Sequence, residues 1–180
     1  MKIVYDYSHL GGKEILVVRF PSILEEIREI ISEVKANREK ISKEKGKKGA
    51  LLYAPKQMNK AFFESFKRRG FFPVKDVYDI ELPERPRIKG AYKQIDFVKD
   101  RVFVEVQFGK YAFMFYDMAK FQYFFNEGKA DVGVEIVPAY ELKRRMSSGV
   151  SYGEQLIYDI ERLKRHFPAV PIYVILIDAD

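Results

Sequence analysis

The chain has 180 residues, 47% of them apolar, which suits one compact domain with a substantial core and excludes a disordered chain. A formal net charge of +6 admits a polyanionic partner without requiring one. There is no cysteine, hence no disulfide framework and no thiolate chemistry. The start carries no basic-then-apolar signal segment, and no apolar run reaches the roughly 20 residues of a membrane helix. A single cytoplasmic domain over 1–180, with no membrane partner, is the expectation.

In chain order, RFPSILEEIREIISEVKANREK predicts a helix. Ser22 and Glu25 have capping-box spacing, and Ile23, Ile27, Ile30, Ile31 and Val34 form an apolar stripe. KISKEKGKKGA then predicts a loop; from Lys35 to Lys48 seven basic residues stand against two acids. Such a loop, with Lys47 and Lys48 at its end, suits phosphate tracking, and equally suits a solvated helix end. MNKAFFESFKRRG predicts a second helix with Asn59 as its cap and Gly70 as its stop. VKDVYDIEL reads as a strand and ELPERPRIKG as a proline-broken turn.

QIDFVKDRVFVEVQF, residues 94–108, predicts a hairpin turning at Asp100–Arg101. That register sets Lys99 opposite Val102, Val98 opposite Phe103 and Phe97 opposite Val104. It sets Asp96 opposite Glu105 and Gln94 opposite Gln107. Ile95, Phe97, Val102, Val104, Val106 and Phe108 then share a core face. Directly opposed residues have Cβ atoms roughly 5 Å apart, so the two carboxylates repel unless a cation relieves them. A divalent ion with hard oxygen ligands would do so, as would a nearby lysine. YDMAKFQYFFNEG predicts a helix closed by Gly128, and DVGVEIVPA a central strand. SSGVSYG reads as flexible, EQLIYDIERLKRHF as a helix and PIYVILID as a buried strand. The fold class is therefore α/β, a mixed central sheet flanked by helices.

IDFVKDRVFVEVQF resembles the active-site hairpin of the BglII-type restriction endonucleases. Their nuclease superfamily carries an Asp, a short gap and Asp/Glu–x–Lys, with the Lys replaced by Gln in the BglII branch. Asp96 and Glu105-Val106-Gln107 stand in those places. YDYSHLGGKEIL, YAFMFYDMAKFQYFFNEG and PIYVILIDAD resemble the same family in the same order. The resemblance implies a restriction-endonuclease-like core and Mg²⁺-dependent hydrolysis of double-stranded DNA by a homodimer. Asp96, Glu105 and the Val106 carbonyl would hold one or two Mg²⁺ ions, and Gln107 would orient the attacking water. Glu81, near the turn before the hairpin, is a candidate to support the metal. Lys110 and Tyr111, just past the motif, are candidates for DNA contacts, as are Arg144 and Arg145. A repair or structure-specific nuclease of the same superfamily, and a non-catalytic DNA-binding relative, remain open alternatives at this point.

Overall fold

The chain opens with a strand, β1 (Lys2–His9), followed by α1 (Gly12–Arg19) and α2 (Pro21–Glu33). A short ribbon, β2 (Arg38–Ile41) and β3 (Leu51–Tyr53), leads into α3 (Pro55–Arg68). Then come β4 (Phe72–Ile80), β5 (Ile88–Lys99), β6 (Val102–Val106) and α4 (Tyr111–Asn126). The chain ends with β7 (Val132–Pro138), α5 (Tyr140–Arg144), α6 (Gly153–Leu163) and β8 (Ile172–Asp178). The computed structural model describes residues 1–179.

Six strands form one mixed sheet in the order β1-β8-β7-β6-β5-β4. β6, β7 and β8 are parallel, as strand–helix–strand connections through α4 and α6 require, and β1, β4 and β5 are antiparallel to their neighbours. The alternation of side chains sorts the core into two layers. Val102, Val104, Val132, Val134, Ile136, Ile175 and Ile177 meet the stripes of α2 and α3 on one face. Phe103, Val137, Val174 and Leu176 meet Met114, Met118, Phe121 and Phe124 of α4, with Leu156 and Ile160 of α6, on the other. Every residue of β6 and β7 is buried, so the middle of the sheet is covered on both faces.

The hairpin forms about Asp100, whose φ of +53° supplies the left-handed step of the turn. The ladder pairs Lys99 with Val102, Val98 with Phe103 and Phe97 with Val104, as the alternation predicts. Beyond Phe97 the expected register fails. β4 pairs Phe72 with Val98 but Val74 with Ile95, two steps on one strand against three on the other. This β-bulge at Asp96–Phe97 reverses the strand's faces. Ile95 consequently joins the α4 layer, opposite to Phe97, and does not share its face as predicted. Gln94 pairs with Lys75, not with Gln107, whose backbone N–H instead donates to Ile136 of β7. Because β6 is short, the outer part of β5 pairs only with β4, and the two run on as a two-stranded ribbon whose Asp76 and Tyr78 contact Tyr123 and Lys129.

Other corrections are local. α2 starts at Pro21 behind Phe20 with no side-chain cap, so Ser22 and Glu25 lie inside the helix. α3 starts at Pro55, which displaces the predicted Asn59 cap; proline at the first position already lacks the N–H a cap would satisfy. Gly70 and Gly128 do end their helices in left-handed conformation. The segment 147–152 is held in place rather than flexible: Ser151 N–H donates to the Gly109 carbonyl and Ser148 N–H to Glu44. α1 packs so closely on β8 that a Cβ on Gly12 would stand 2.3 Å from the Ile172 carbonyl carbon. Gly12→Ala is therefore expected to lower stability by about 1–3 kcal/mol, through overpacking against rigid backbone. A shifted denaturation midpoint at unchanged slope would show it, and an unmoved midpoint would contradict the close approach.

Candidate active site

The period-two alternation of β6 points Glu105 to the α4 layer, beside Phe103 and away from Val104 and Val106. On α4 the buried positions are Met114, Asp117, Met118, Phe121 and Phe124, a helical stripe in which Asp117 takes an apolar place. Lys120 follows one turn later. Its ammonium lies 2.5 Å from Glu105 Oε1 and 2.7 Å from Asp117 Oδ1. Asp117 Oδ2 accepts the side-chain amide of Gln107 at 3.0 Å, and the Gln107 amide oxygen accepts the Gly109 N–H at 2.9 Å. Glu105, Lys120, Asp117, Gln107 and Gly109 thus form one hydrogen-bonded chain.

A further acid closes the cluster. Glu135 of β7 pairs in register with Glu105, is fully buried, and has no hydrogen-bond donor for either carboxyl oxygen among the described residues. Burial pushes its carboxyl well above the usual range, and Asp117 and Glu105 add to the effect. Burial likewise raises Glu105, with Asp117 reinforcing and Lys120 opposing. It raises Asp117 too, against the pull of Lys120 and Gln107. For Lys120 burial acts the other way, but Glu105 and Asp117 outweigh it and keep the ammonium protonated.

Asp96 is placed differently from the expected direct opposition. Its bulge turns it toward α3, where it lines a hollow of about 300 Å³ with Asn59, Lys60, Phe63, Phe97 and Val106. It is exposed and has no hydrogen bond or ion pair among the described residues. It still lies near enough to the cluster for its charge to raise Glu105. Asp96, Val106 and Glu105 therefore surround the open end of the hairpin from its two faces.

The remaining predicted residues divide clearly. Glu81 is not brought to this place. It follows Ile80 at the far end of the β4–β5 ribbon and pairs with Arg87 at 3.1 Å. Six residues separate Ile80 from Val74, which faces Ile95; at a strand rise of about 3.3 Å that is ~20 Å. Lys110 is exposed at the start of α4. The Tyr111 hydroxyl is taken by Asp159 of α6. Arg144 is exposed and close to Glu141, whereas Arg145 pairs with Asp178 and lies over the Tyr53 ring. Lys47 caps α5 by donating to the carbonyls of Arg144 and Met146, and Lys48 beside it is exposed. His9 is buried on the Pro168 carbonyl. Sequence reasoning missed Asp117, Lys120 and Glu135. The signal for Asp117 was its place in the α4 stripe, and for Glu135 a lone charge within a continuous apolar run.

Among the described residues no group of three or more His, Asp or Glu side chains could hold a metal. Asp96 and Glu105 nonetheless offer carboxylate oxygens near the hairpin end, the donor type that hard divalent ions take.

The state of Glu135 makes stability depend on pH. A carboxyl raised by folding binds its proton more tightly in the folded chain, so its contribution is complete in acid. That contribution is lost as pH rises above the ordinary value of 4.5 toward the raised one. Glu135→Gln keeps the shape and removes the charge. It should melt with the parent at about pH 4 and ~2–4 °C or more above it at about pH 8. Equal melting temperatures at both values would show that Glu135 is not held neutral.

The family model for restriction endonuclease BglII/BglIII matches residues 5–177. The crystal structure of restriction endonuclease BglII complexed with a DNA 16-mer is similar, with a TM-score of 0.77 and 22% identity, over 100% of this chain and 78% of that one. Free BglII gives a TM-score of 0.69 and 20% identity, over 100% and 81%. Identities this low speak to the fold alone. No curated protein matches the sequence. Restriction endonucleases generally use divalent metal ions, which agrees with the hard oxygen donors at the hairpin end. The match over nearly the whole chain, on a mixed six-stranded sheet of the BglII kind, means that the chain belongs to the BglII/BglIII restriction endonuclease family and is a type II restriction-like DNA endonuclease.

Proposed function

We propose that the single domain hydrolyses phosphodiester bonds of double-stranded DNA with Mg²⁺, using Asp96, Glu105 and the Val106 carbonyl as metal ligands and Gln107 to orient water, and that it works as a homodimer. The observation that carries this is the arrangement at the hairpin end: an Asp96 carboxylate without a partner among the described residues, near enough for its charge to act on buried Glu105, with Gln107 two residues on and hydrogen-bonded at both ends of its amide. The bound ion would acidify a water and offset charge on the phosphate. Gln107 supplies no base, because an amide holds no useful proton acceptor at nitrogen. One of its N–H groups is used on Asp117, which leaves the other to direct a water. Lys110, Arg144 and Lys48 are exposed, as is Lys60 in the Asp96 hollow, and suit phosphate contacts, which position a duplex without reading it. Tyr111, Arg145 and Lys47 are tied to the protein's own groups and serve to hold that surface in shape.

Cutting both strands of a symmetric site calls for two active sites related by a twofold axis. α4 supports such an interface: Phe121 and Phe124 go to the core, while Phe113 and Tyr116 remain 57% and 48% exposed. Exposed rings of this kind mark interfaces.

Incubation with plasmid or phage DNA should yield nicked or linear product with Mg²⁺ and none in chelator. Asp96→Ala and Glu105→Ala should each abolish cleavage. Thermal melting of Glu105→Ala, which removes a buried partner of Lys120, separates loss of cleavage from loss of fold. Cleavage by Glu105→Ala at the parent's rate would reject this reading of the site. Light scattering should give a dimer mass, alone or with a short duplex; a monomer in both would reject paired cutting.

A further inference from the structure

Glu105 and Gln107 sit two residues apart at the end of β6, where the ladder to β5 has already stopped. Nothing in the hairpin fixes their side chains. Apart from the Gly109 N–H on the Gln107 amide oxygen, what fixes them comes from α4. Lys120 reaches Glu105 Oε1 at 2.5 Å and Asp117 Oδ1 at 2.7 Å, and the other oxygen of Asp117 takes the Gln107 amide at 3.0 Å. Asp117 is 2% exposed and Glu105 3%, so water does not compete for these contacts.

We propose that Asp117 and Lys120 are positioning residues that clamp Glu105 and Gln107 in their working orientations, the ammonium contributed by a helix and not by the Glu–x–Gln strand. This rests on the reading of the hairpin end as the active site. A buried ion pair adds little to stability over an apolar pair of the same volume, so the clamp is not explained by core packing. It is explained by orientation, because a metal ligand and a water-directing amide lose function when left free to rotate. Lys120 leaves Glu105 Oε2 free for a cation, and Asp117 leaves one Gln107 N–H free for water.

The test uses Asp117→Asn, Lys120→Met and Lys120→Arg. Steady-state cleavage of a duplex, Mn²⁺ binding by electron paramagnetic resonance and thermal melting are measured on each. For Asp117→Asn, kcat should fall about 10–100-fold and Mn²⁺ affinity about 10-fold, with KM for the duplex unchanged. Lys120→Met should lose kcat similarly and Lys120→Arg should recover most of it; Asp117→Asn and Lys120→Arg melt near the parent, whereas Lys120→Met, which leaves its buried carboxyls without a cation, melts lower and is assayed well below its melting temperature. Asp117→Asn and Lys120→Met with kcat and Mn²⁺ affinity both within about twofold of the parent would overturn the clamp. So would losses that follow the fraction of protein unfolded. If the parent cuts no DNA, the functional reading fails by itself. Mn²⁺ affinity then decides the clamp alone: weakened in Asp117→Asn, it stands; unchanged, it falls.

Discussion

One ammonium organises the buried end of β6. The hairpin and its neighbour β7 bring Glu105 and Glu135 side by side under α4, which adds Asp117. Three carboxyls in so little space could not all be charged without compensation. Lys120 lies between two of them, and burial pushes the third, which has no donor among the described residues, well above the usual carboxylate range. The strand order of the sheet therefore bears directly on the chemistry. A parallel β6–β7 pair in this register makes the acids neighbours, and the crossover helix between those strands delivers the cation that lets them coexist.

The legible part of this arrangement was the part written in alternation. Val98, Phe103, Phe97 and Val104 pair as their pattern implies, because a one-residue slip would turn a buried face to water. The runs at 132–138 and 172–177 are buried on both sides, as largely apolar strands should be. The bulge at Asp96 was not legible. A bulge leaves no mark in the polarity pattern here, and without it Ile95 is assigned to the wrong layer. β1 was also missed. As an edge strand it is half-exposed, so its polar and aromatic residues show no clean face.

The relief of charge expected between Asp96 and Glu105 arises in a different way. Of the two solutions the sequence left open, a metal ion and a lysine, the buried side of Glu105 uses the lysine. Asp96, turned outward, keeps no partner of its own. Similar sorting separates the basic residues. Seven cations between Lys35 and Lys48 look alike in sequence, yet Lys47 is consumed by the carbonyls at the end of α5 and Lys40 by Ser147, while Lys48 is left to solvent. Which cations are free to meet a polyanion follows from tertiary contacts and not from local charge density.

The ribbon of β4 and β5 has a consequence for how the two acids are tethered. A two-stranded ribbon without a third strand is marginal in water and opens far more readily than a sheet covered on both faces. Asp96 stands at its root, whereas Glu105 is locked in the most buried strand pair of the molecule. One acid stands at a β-bulge and the other in the closed middle of the sheet. A cation bridging them would bind only the conformation in which the ribbon is seated, and would stabilise that conformation in proportion to its own occupancy. Were one cation to bridge both acids, its binding and the seating of the ribbon would be a single equilibrium, set partly by carboxylates and partly by a bulge.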